Sequence, residues 1–464
     1  MTPAGSWEAP PGLRNRWTDI FRADTPIHLA MMGSIAAATF QGWLKDRVPG
    51  IVPYAAADGL MIAAILYWFA GLAIRKAKIP APGDFALRVF ALVAVPMLYL
   101  MVPGTPLVIE AAGLRAWAAF PICCLLALTA IRSGGQVRAY VGLILILGLI
   151  TAVYGILQYR AGPEAALGVS GLAAVRHGET TFYAAAGGGP RQFRAFSTFT
   201  FPAPFAGFMV FAIMLAAGRV LSTHQPRIQR WMGLLLIAIC FVGLTVSGTR
   251  AGLVTLLLGL GLSAAYRGLK LRQMLLLPAL LAALHAAMLV TSGKILERYA
   301  TIYLSEGHLW TYVYAPITIA ARALADNPFG LGLGRSGVGV PFTIAMGMPS
   351  GYFVFSDGDV GRAAVEMGFV GVALLALLVV GLLPYAHRAT RMLRRTEFDD
   401  LALGVGPLVL GTGILVLIGS PLSTAPHGTI WWFLFGALIK VAMLHRHRLA
   451  ADAEATPWTS PPTA

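Results

Sequence analysis

The sequence predicts an all-α integral membrane protein of about twelve transmembrane helices, with two long extracytoplasmic loops, the larger containing an amphipathic helix. Three observations lead there. Of the 464 residues, 57% are hydrophobic and 12% charged, against about 25% charged in an ordinary globular domain. Apolar runs of about 20 residues, the length that crosses a hydrocarbon layer, recur along the chain. Lys and Arg collect in alternate loops between those runs.

The runs cover 27–44, 51–74, 84–102, 107–131, 139–159, 203–221, 231–247, 251–266, 273–291, 364–384, 402–420 and 429–444. Gly and Pro interrupt several of them, which a bundle tolerates because neighbouring helices re-satisfy the freed backbone groups. One set of loops holds Arg75, Lys76, Lys78 and Arg88; Arg132 and Arg138; Arg219, Arg227 and Arg230; Arg267, Lys270 and Arg272; Arg388, Arg391, Arg394 and Arg395; and Arg446 and Arg448. The positive-inside rule assigns that set, and both termini, to the cytoplasm. Residues 1–26 form an N-terminal tail with Arg14, Arg16 and Arg22 and no small-residue cleavage site, so the first run is expected to be a retained anchor. Residues 27–445 form the membrane domain, and 446–464, rich in Pro, Thr and Ala, a C-terminal tail.

The net charge of +15 has its explanation in those loops and in anionic lipid headgroups. No basic run is interleaved with exposed aromatics, which excludes a nucleic-acid groove. Cys123, Cys124 and Cys240 all lie in apolar runs, an odd number with two adjacent, and indicate neither a disulfide framework nor a metal site. The outer loops run from about 160 to 202 and from about 292 to 363; connections that long are usually functional. Within the second, a helix capped near Ser305 carries Leu309, Val313, Ile317 and Leu324 on one face, as a helix lying on the membrane surface or over the bundle would.

The outer side should be poor in arginine, yet it carries Arg191, Arg194, Arg250, Arg335 and Arg362. A planar fork of donors suits phosphate or carboxylate oxygens near a low-dielectric boundary. These arginines therefore read as a clamp for an anionic head group, the bland alternative being snorkelling side chains and structural ion pairs. Asp357 and Asp359 spell D-x-D, a pattern that holds a metal and a nucleotide sugar in many transferases, but an outer location argues against that supply. The remaining readings are a carboxylate base at a cavity edge and, for Asp359, a cap on the helix it begins. Glu366, one to two turns further on, is expected to bond to a neighbouring helix. "GLGRSG" (332–337) matches G-x-G-x-x-G but follows no strand, which removes the dinucleotide reading. His308 and His427 are outer histidines that could serve as bases, and Glu110 with Arg115 reads as one ion-pair network.

These segments resemble the O-antigen ligase and polymerase superfamily of polytopic membrane glycosyltransferases, from about Gly113 to Gly371. "GLRAWAAFPICCLLA" looks like its early Gly-x-Arg segment, "AVYGILQY" like its span ending in Gln, and "RAFSTFTFPAPFAG" like its Arg…Gly-Thr-Phe…Pro-Asn stretch, with Ser197 for Gly and Ala203 for Asn. "LTVSGTRAGLV" is similar to its Ser-Arg signature, with Thr249 for Ser, and "ADNPFGLGLG" to its Pro-hydrophobic-Gly-x-Gly turn. In its last element Glu366, Gly368 and Gly371 fit, while Asp357 and Gly358 stand where the family has His-Asn.

The resemblance implies a donor glycan on a polyprenyl diphosphate, a glycan or lipid acceptor, and transfer on the outer face of a bacterial plasma (inner) membrane without cofactor, metal or nucleotide sugar. By position Arg194 and Arg250 inherit the diphosphate clamp, with Arg191 and Arg335 beside them. Asp357 and Asp359 become the catalytic candidates, and His308, Arg362 and Glu366 auxiliary ones. Polymerases of the superfamily vary more than ligases at the last element, so polymerisation of exopolysaccharide or O-antigen repeat units is the expected activity. Its alternatives are a ligase to lipid A core and, from other classes, a transporter or flippase of lipid-linked glycans or a non-catalytic partner, with polysaccharide assembly proteins as neighbours.

Overall fold

The computed structural model describes residues 25–48, 52–76, 79–101, 105–169, 183–184, 192–269, 306–337, 354, 358–417, 419 and 422–455. The helices are α1 Thr25–Thr39, α2 Gln41–Arg47, α3 Val52–Arg75, α4 Phe85–Leu98, α5 Leu107–Leu114, α6 Phe120–Ala130, α7 Gly134–Val169, α8 Pro202–Leu221, α9 Arg227–Val246, α10 Arg250–Arg267, α11 Glu306–Asp326, α12 Asp359–Ala376, α13 Leu383–Leu393, α14 Asp399–Ile414 and α15 His427–Ala455. A two-residue antiparallel pair, Tyr183–Ala184 with Gln192–Phe193, is the strand content among the described residues.

Among these residues seven helical stretches are long and apolar enough to cross a membrane: Ala56–Ile74, Leu107–Ala130, Gly134–Pro163, Pro202–Leu221, Arg227–Val246, Asp359–Leu393 and His427–Ala451. Helices also form in the runs beginning at 27, 84, 251 and 402, but α4 and α14, for example, reach only 14 and 16 residues. The run 273–291 lies outside the described residues.

Helices apolar on every side end up buried. α8 and the start of α15 make the centre, with Phe205, Phe208, Phe211, Trp431, Phe433 and Phe435 all enclosed. α3 and α9 lie at the rim, leaving Leu66, Ile74, Trp231 and Leu235 exposed, as suits side chains that lipid tails solvate as well as protein does. Gly218 of α8 meets Gly404 and the Asp400 carbonyl of α14 with no room for a Cβ, so the two backbones approach closely. The three cysteines are buried and unbridged.

Two helical stretches widen into π-turns, at Arg115–Ala119 and Leu377–Leu382. Each is followed at once by a proline, Pro121 or Pro384. A proline ring clashes with the carbonyl four residues back and removes a donor, and a wider turn relieves both. The second π-turn frees the Gly381 carbonyl, which accepts from Arg88 Nη1 at 2.9 Å. An apolar cavity of about 20 Å³ lies where the two stretches meet α4, lined by Leu92, Pro96, Trp117, Leu378 and Trp432 among others.

The sharpest departure from regular helix is inside α12. Gly368 has φ 60° and ψ −141°, a region open to glycine alone. Gly371 then comes against the carbonyl of Ala363, which a straight helix would hold about 12 Å away. Residues 359–367 are thus a short helix folded back against the one that follows.

α11 forms where the amphipathic helix is expected. Pro316 and Ala320 are buried, whereas Ile317 is 44% exposed and Leu324 half-buried. Small residues let α11 lie close on α12, and that turns the larger Ile317 outward. Ser305 and the side chains of Leu309 and Val313 lie outside the described residues.

The helix ends sort into two groups. His427, at the start of α15, packs edge-on against Phe211 of α8 with ring centroids 5.2 Å apart. Asp359, at the start of α12, bonds to Leu422 and Ser423 just ahead of α15. Arg194, ahead of α8, bonds to the turn between α9 and α10. The described outer candidates therefore share one end. The opposite end is closed by Asp399 and Asp400 of α14. Asp399 accepts from Ser222 and from Thr223 N at 3.2 Å. Asp400 takes Arg138 in a two-pronged pair at 3.0 Å and Gln225 at 3.0 Å.

Candidate functional site

The arginine pair of the first outer loop is built on a locked strand of backbone. Gln158, near the end of α7, accepts from the amides of Phe196 and Ser197 at 2.9 and 2.8 Å. Thr198 Oγ1 donates to the Thr39 carbonyl at 2.7 Å, tying the loop to α1. Ser197 itself has φ 55°, a left-handed conformation that costs a non-glycine residue about 1–2 kcal/mol; its hydroxyl answers by donating to the Thr151 carbonyl at 2.6 Å.

Arg194 then reaches the turn between α9 and α10. Its Nε donates to the Ser247 carbonyl at 3.1 Å and its Nη2 to Thr249 Oγ1 at 2.9 Å. Thr249 is the residue before α10 and makes no side-chain cap on it. Arg250 opens that helix, so Arg194 and Arg250 stand on one turn although 55 residues separate Arg194 from Thr249.

The second group gathers around "GLGRSG". Glu366 is 1% exposed, and its carboxylate accepts from Trp117 Nε1 at 2.7 Å, from Ser336 N at 3.1 Å and from the amide of Gly334. The glycine-rich turn does cradle an acidic group, and that group is the chain's own Glu366. Around it Leu331 N donates to the Val365 carbonyl at 2.8 Å, Gly332 N to that of Glu366 at 3.1 Å, and Tyr99 Oη to that of Met367 at 2.8 Å. These bonds satisfy the carbonyls that the break at Gly368 exposes, as a low-dielectric setting requires.

Asp359 corrects the capping expectation. Gly358 occupies the capping position, with no side-chain cap. The Asp359 carboxylate, fully buried, instead accepts from Ser423 Oγ at 2.5 Å and Leu422 N at 3.1 Å, holding the segment ahead of α15. A cap must lie outside the first turn to fold back over it, and Asp359 is already inside that turn. Arg362 Nη1 donates to the same Ser423 hydroxyl at 2.6 Å, and its guanidinium lies against Gly337. Arg335 Nε donates to Thr105 Oγ1 at 3.2 Å.

Two other expectations change. Arg115 pairs with Asp58 of α3 at 2.6 Å, not with Glu110, since five positions put residues on different sides of a helix. His427 is 4% exposed, packed on Phe211 and Gly207 inside the bundle, and so is a core side chain. Asp357 and Arg191 lie outside the described residues, as does the side chain of His308, which α11 carries. Among the described residues no group of three His, Cys, Asp or Glu could hold a metal.

No protein-family model matches the chain, and no curated protein matches it.

Trp117, Gln158, Ser336 and Ser423 escaped the reading of the sequence as site residues. Trp117 and Gln158 had a signal, since an indole N–H or an amide within an apolar run must find a partner. Chemically, this end of the bundle offers guanidinium groups on anchored turns, a buried carboxylate clasp, and a hydroxyl, that of Ser423, bridging Arg362 and Asp359. Guanidinium donors of this kind suit phosphate or carboxylate oxygens.

Proposed function

We propose that this chain is a multi-pass membrane glycosyltransferase that polymerises polyprenyl-diphosphate-linked oligosaccharide repeat units on the outer face of a bacterial plasma membrane. The observation that carries the reading is the anchoring of Arg194 on the Ser247–Thr249 turn, which brings it to the helix start occupied by Arg250. Both arginines lie on the side that the loop charges mark as outer. The expected twelve-span arrangement, with both termini in the cytoplasm, is part of the proposal and rests on the apolar runs and the loop charges.

In this mechanism Arg194 and Arg250 bind the diphosphate and neutralise the charge that grows on it as the glycosidic bond breaks. Removal of one preorganised donor of this kind costs about 2.7–4 kcal/mol in an acyl-transfer enzyme, which sets the scale. Arg335, Arg191 and Arg362 extend the positive rim. The carboxylate of Asp357 orients the acceptor hydroxyl for in-line attack and inversion at the anomeric carbon. The buried Asp359 and Glu366 hold the scaffold.

The test complements a deletion strain with wild type, Arg250→Ala and Arg194→Ala at matched protein levels, and reads glycan length. Wild type should restore long chains and both variants should leave single repeat units. Long lipid-linked chains in the variants would assign a ligase instead. Full-length glycan from both variants would sink the proposed site.

A further inference from the structure

At the end of the bundle that the loop charges mark as cytoplasmic, Arg138, Arg448 and Arg88 are each answered by a carboxylate, that of Asp400, Glu397 and Asp84. The junction of α10 with α13 is different. Both helices pack on α14, Gly259 against Gly411 and Thr390 against Gly406, so their ends come side by side. The Tyr266 hydroxyl of α10 is hydrogen-bonded to His387 Nδ1 of α13, with ring centroids 5.6 Å apart. Arg391, one turn beyond His387, acts electrostatically on the same hydroxyl. Arg394 Nη2 comes to 3.7 Å from the point that a Cβ on Gly268, the residue after α10, would occupy. Arg267 ends α10, and Arg395 follows Arg394.

Among the described residues no carboxylate pairs with Arg267, Arg391, Arg394 or Arg395. A helix C-terminus favours a cation in its last turn, but four guanidinium groups at one junction repel each other, and an anion between them relieves that. Arg391 and Arg395 are exposed, so an anion can reach them. The surroundings say which anion. Leu257, 47% exposed, stands about three turns before Gly268 and so on the same side of α10, and Val254, one turn further, is 40% exposed. Met392, beside Arg391, is 41% exposed. A basic junction between helices at the foot of an apolar face matches a lipid phosphate with its acyl chain above it.

We propose that the junction of α10 and α13 binds the phosphate headgroup of an anionic phospholipid, with Arg391 and Arg394 as its ligands and an acyl chain along Leu257 and Val254. The Tyr266–His387 bond holds the two helices at the spacing the phosphate needs. This site is independent of the glycosyltransferase reading.

The test adds lipid to the purified full-length protein in detergent and measures bound lipid by native mass spectrometry, with apparent unfolding temperature as the check on fold. Phosphatidylglycerol should bind more tightly than phosphatidylcholine of the same acyl chains, and excess glycerol phosphate should not displace it. One basic side chain near a charged lipid surface is worth about 5-fold, so Arg391→Gln/Arg394→Gln should weaken phosphatidylglycerol by about 10-fold or more. Arg227→Gln removes a charge at the same end, from the start of α9, and should leave affinity within about 2-fold. Arg391→Gln alone, at an exposed side chain, should lose about 5-fold and carries the test if the double variant does not fold. Equal losses in Arg227→Gln and Arg391→Gln would replace the site with diffuse attraction and overturn it. Full affinity in Arg391→Gln, or equal affinity for the two lipids, would overturn it outright. Displacement by glycerol phosphate would make the ligand a soluble phosphate and overturn the lipid assignment.

Discussion

The indole N–H of Trp117 donates to the Glu366 carboxylate at 2.7 Å, across 249 positions of sequence. That bond joins the π-turn after α5 to the folded-back half of α12, and the amides of Gly334 and Ser336 complete the carboxylate's shell. Three chain segments thus meet on one acidic side chain.

Removing that side chain leaves several buried donors without an acceptor. Each such loss costs about 1–3 kcal/mol, so Glu366→Ala should lower stability by about 3 kcal/mol or more. Glu366→Gln, which keeps an acceptor oxygen, should cost less than half as much. Apparent unfolding temperatures in detergent would rank wild type, Gln and Ala in that order; equal values for Ala and wild type would refute the clasp.

Gly368→Ala should be among the most damaging single changes in the chain. Its φ of 60° with ψ −141° adds about 1–3 kcal/mol of strain for any residue with a Cβ, and that Cβ would strike the Pro328 carbonyl. Gly261→Ala, in α10 where an added Cβ meets open space, is the control. Expression yield and protease resistance should fall for the first far more than for the second.

At the other end, Asp400→Ala strands Arg138. Breaking a buried pair costs about 3–5 kcal/mol, and since the Arg138 side chain keeps 27% exposure water takes up part of that, leaving about 2 kcal/mol. Glycan length at permissive temperature should be unchanged, which separates this latch from the outer arginines. Short glycan from a stably folded Asp400→Ala protein would contradict that division.

The run expected from 84 begins as helix only at Phe85, so Asp84, exposed just before α4, supplies a pH signature outside the helix. The Tyr385 hydroxyl, and then Arg88, hold its carboxyl below the ordinary value. A folded-state value below the unfolded one contributes stability above the unfolded value, near about 3.9, and loses it as pH falls through the folded one. Asp84→Asn should therefore be less stable than wild type at neutral pH and match it in acid. Parallel stability curves for the two proteins would remove the assignment.

The positions of helices were largely legible because apolar runs state them: 203–221 is α8 give or take a residue, and 107–131 is α5 through α6. What runs cannot state is a break within one. Gly368 sits in an apolar stretch where a glycine ordinarily passes without consequence, and its role depends on Pro328 and Gly330, some 40 positions earlier. The same distance hid the partner of "GLGRSG". The turn's letters announce an affinity for an anion, but nothing near it in sequence shows that Glu366 already fills it. That Arg194 reaches the turn before Arg250 was equally hidden, since 55 positions separate it from Thr249. Which residues α11 turns toward the bundle was not legible, because periodicity ranks residues by hydrophobicity, whereas the helix buries Pro316 and Ala320.

The fold-back at Gly368 also settles a matter of length. The stretch Asp359–Leu393 has 35 residues, and as one straight helix it would measure about 52 Å, far beyond a hydrocarbon core of about 30 Å. Folding the first nine residues back leaves a limb of about 37 Å, which a moderate tilt accommodates. Hydrophobic mismatch is thereby removed by a hinge in the chain, with no need for the bilayer to thicken around it.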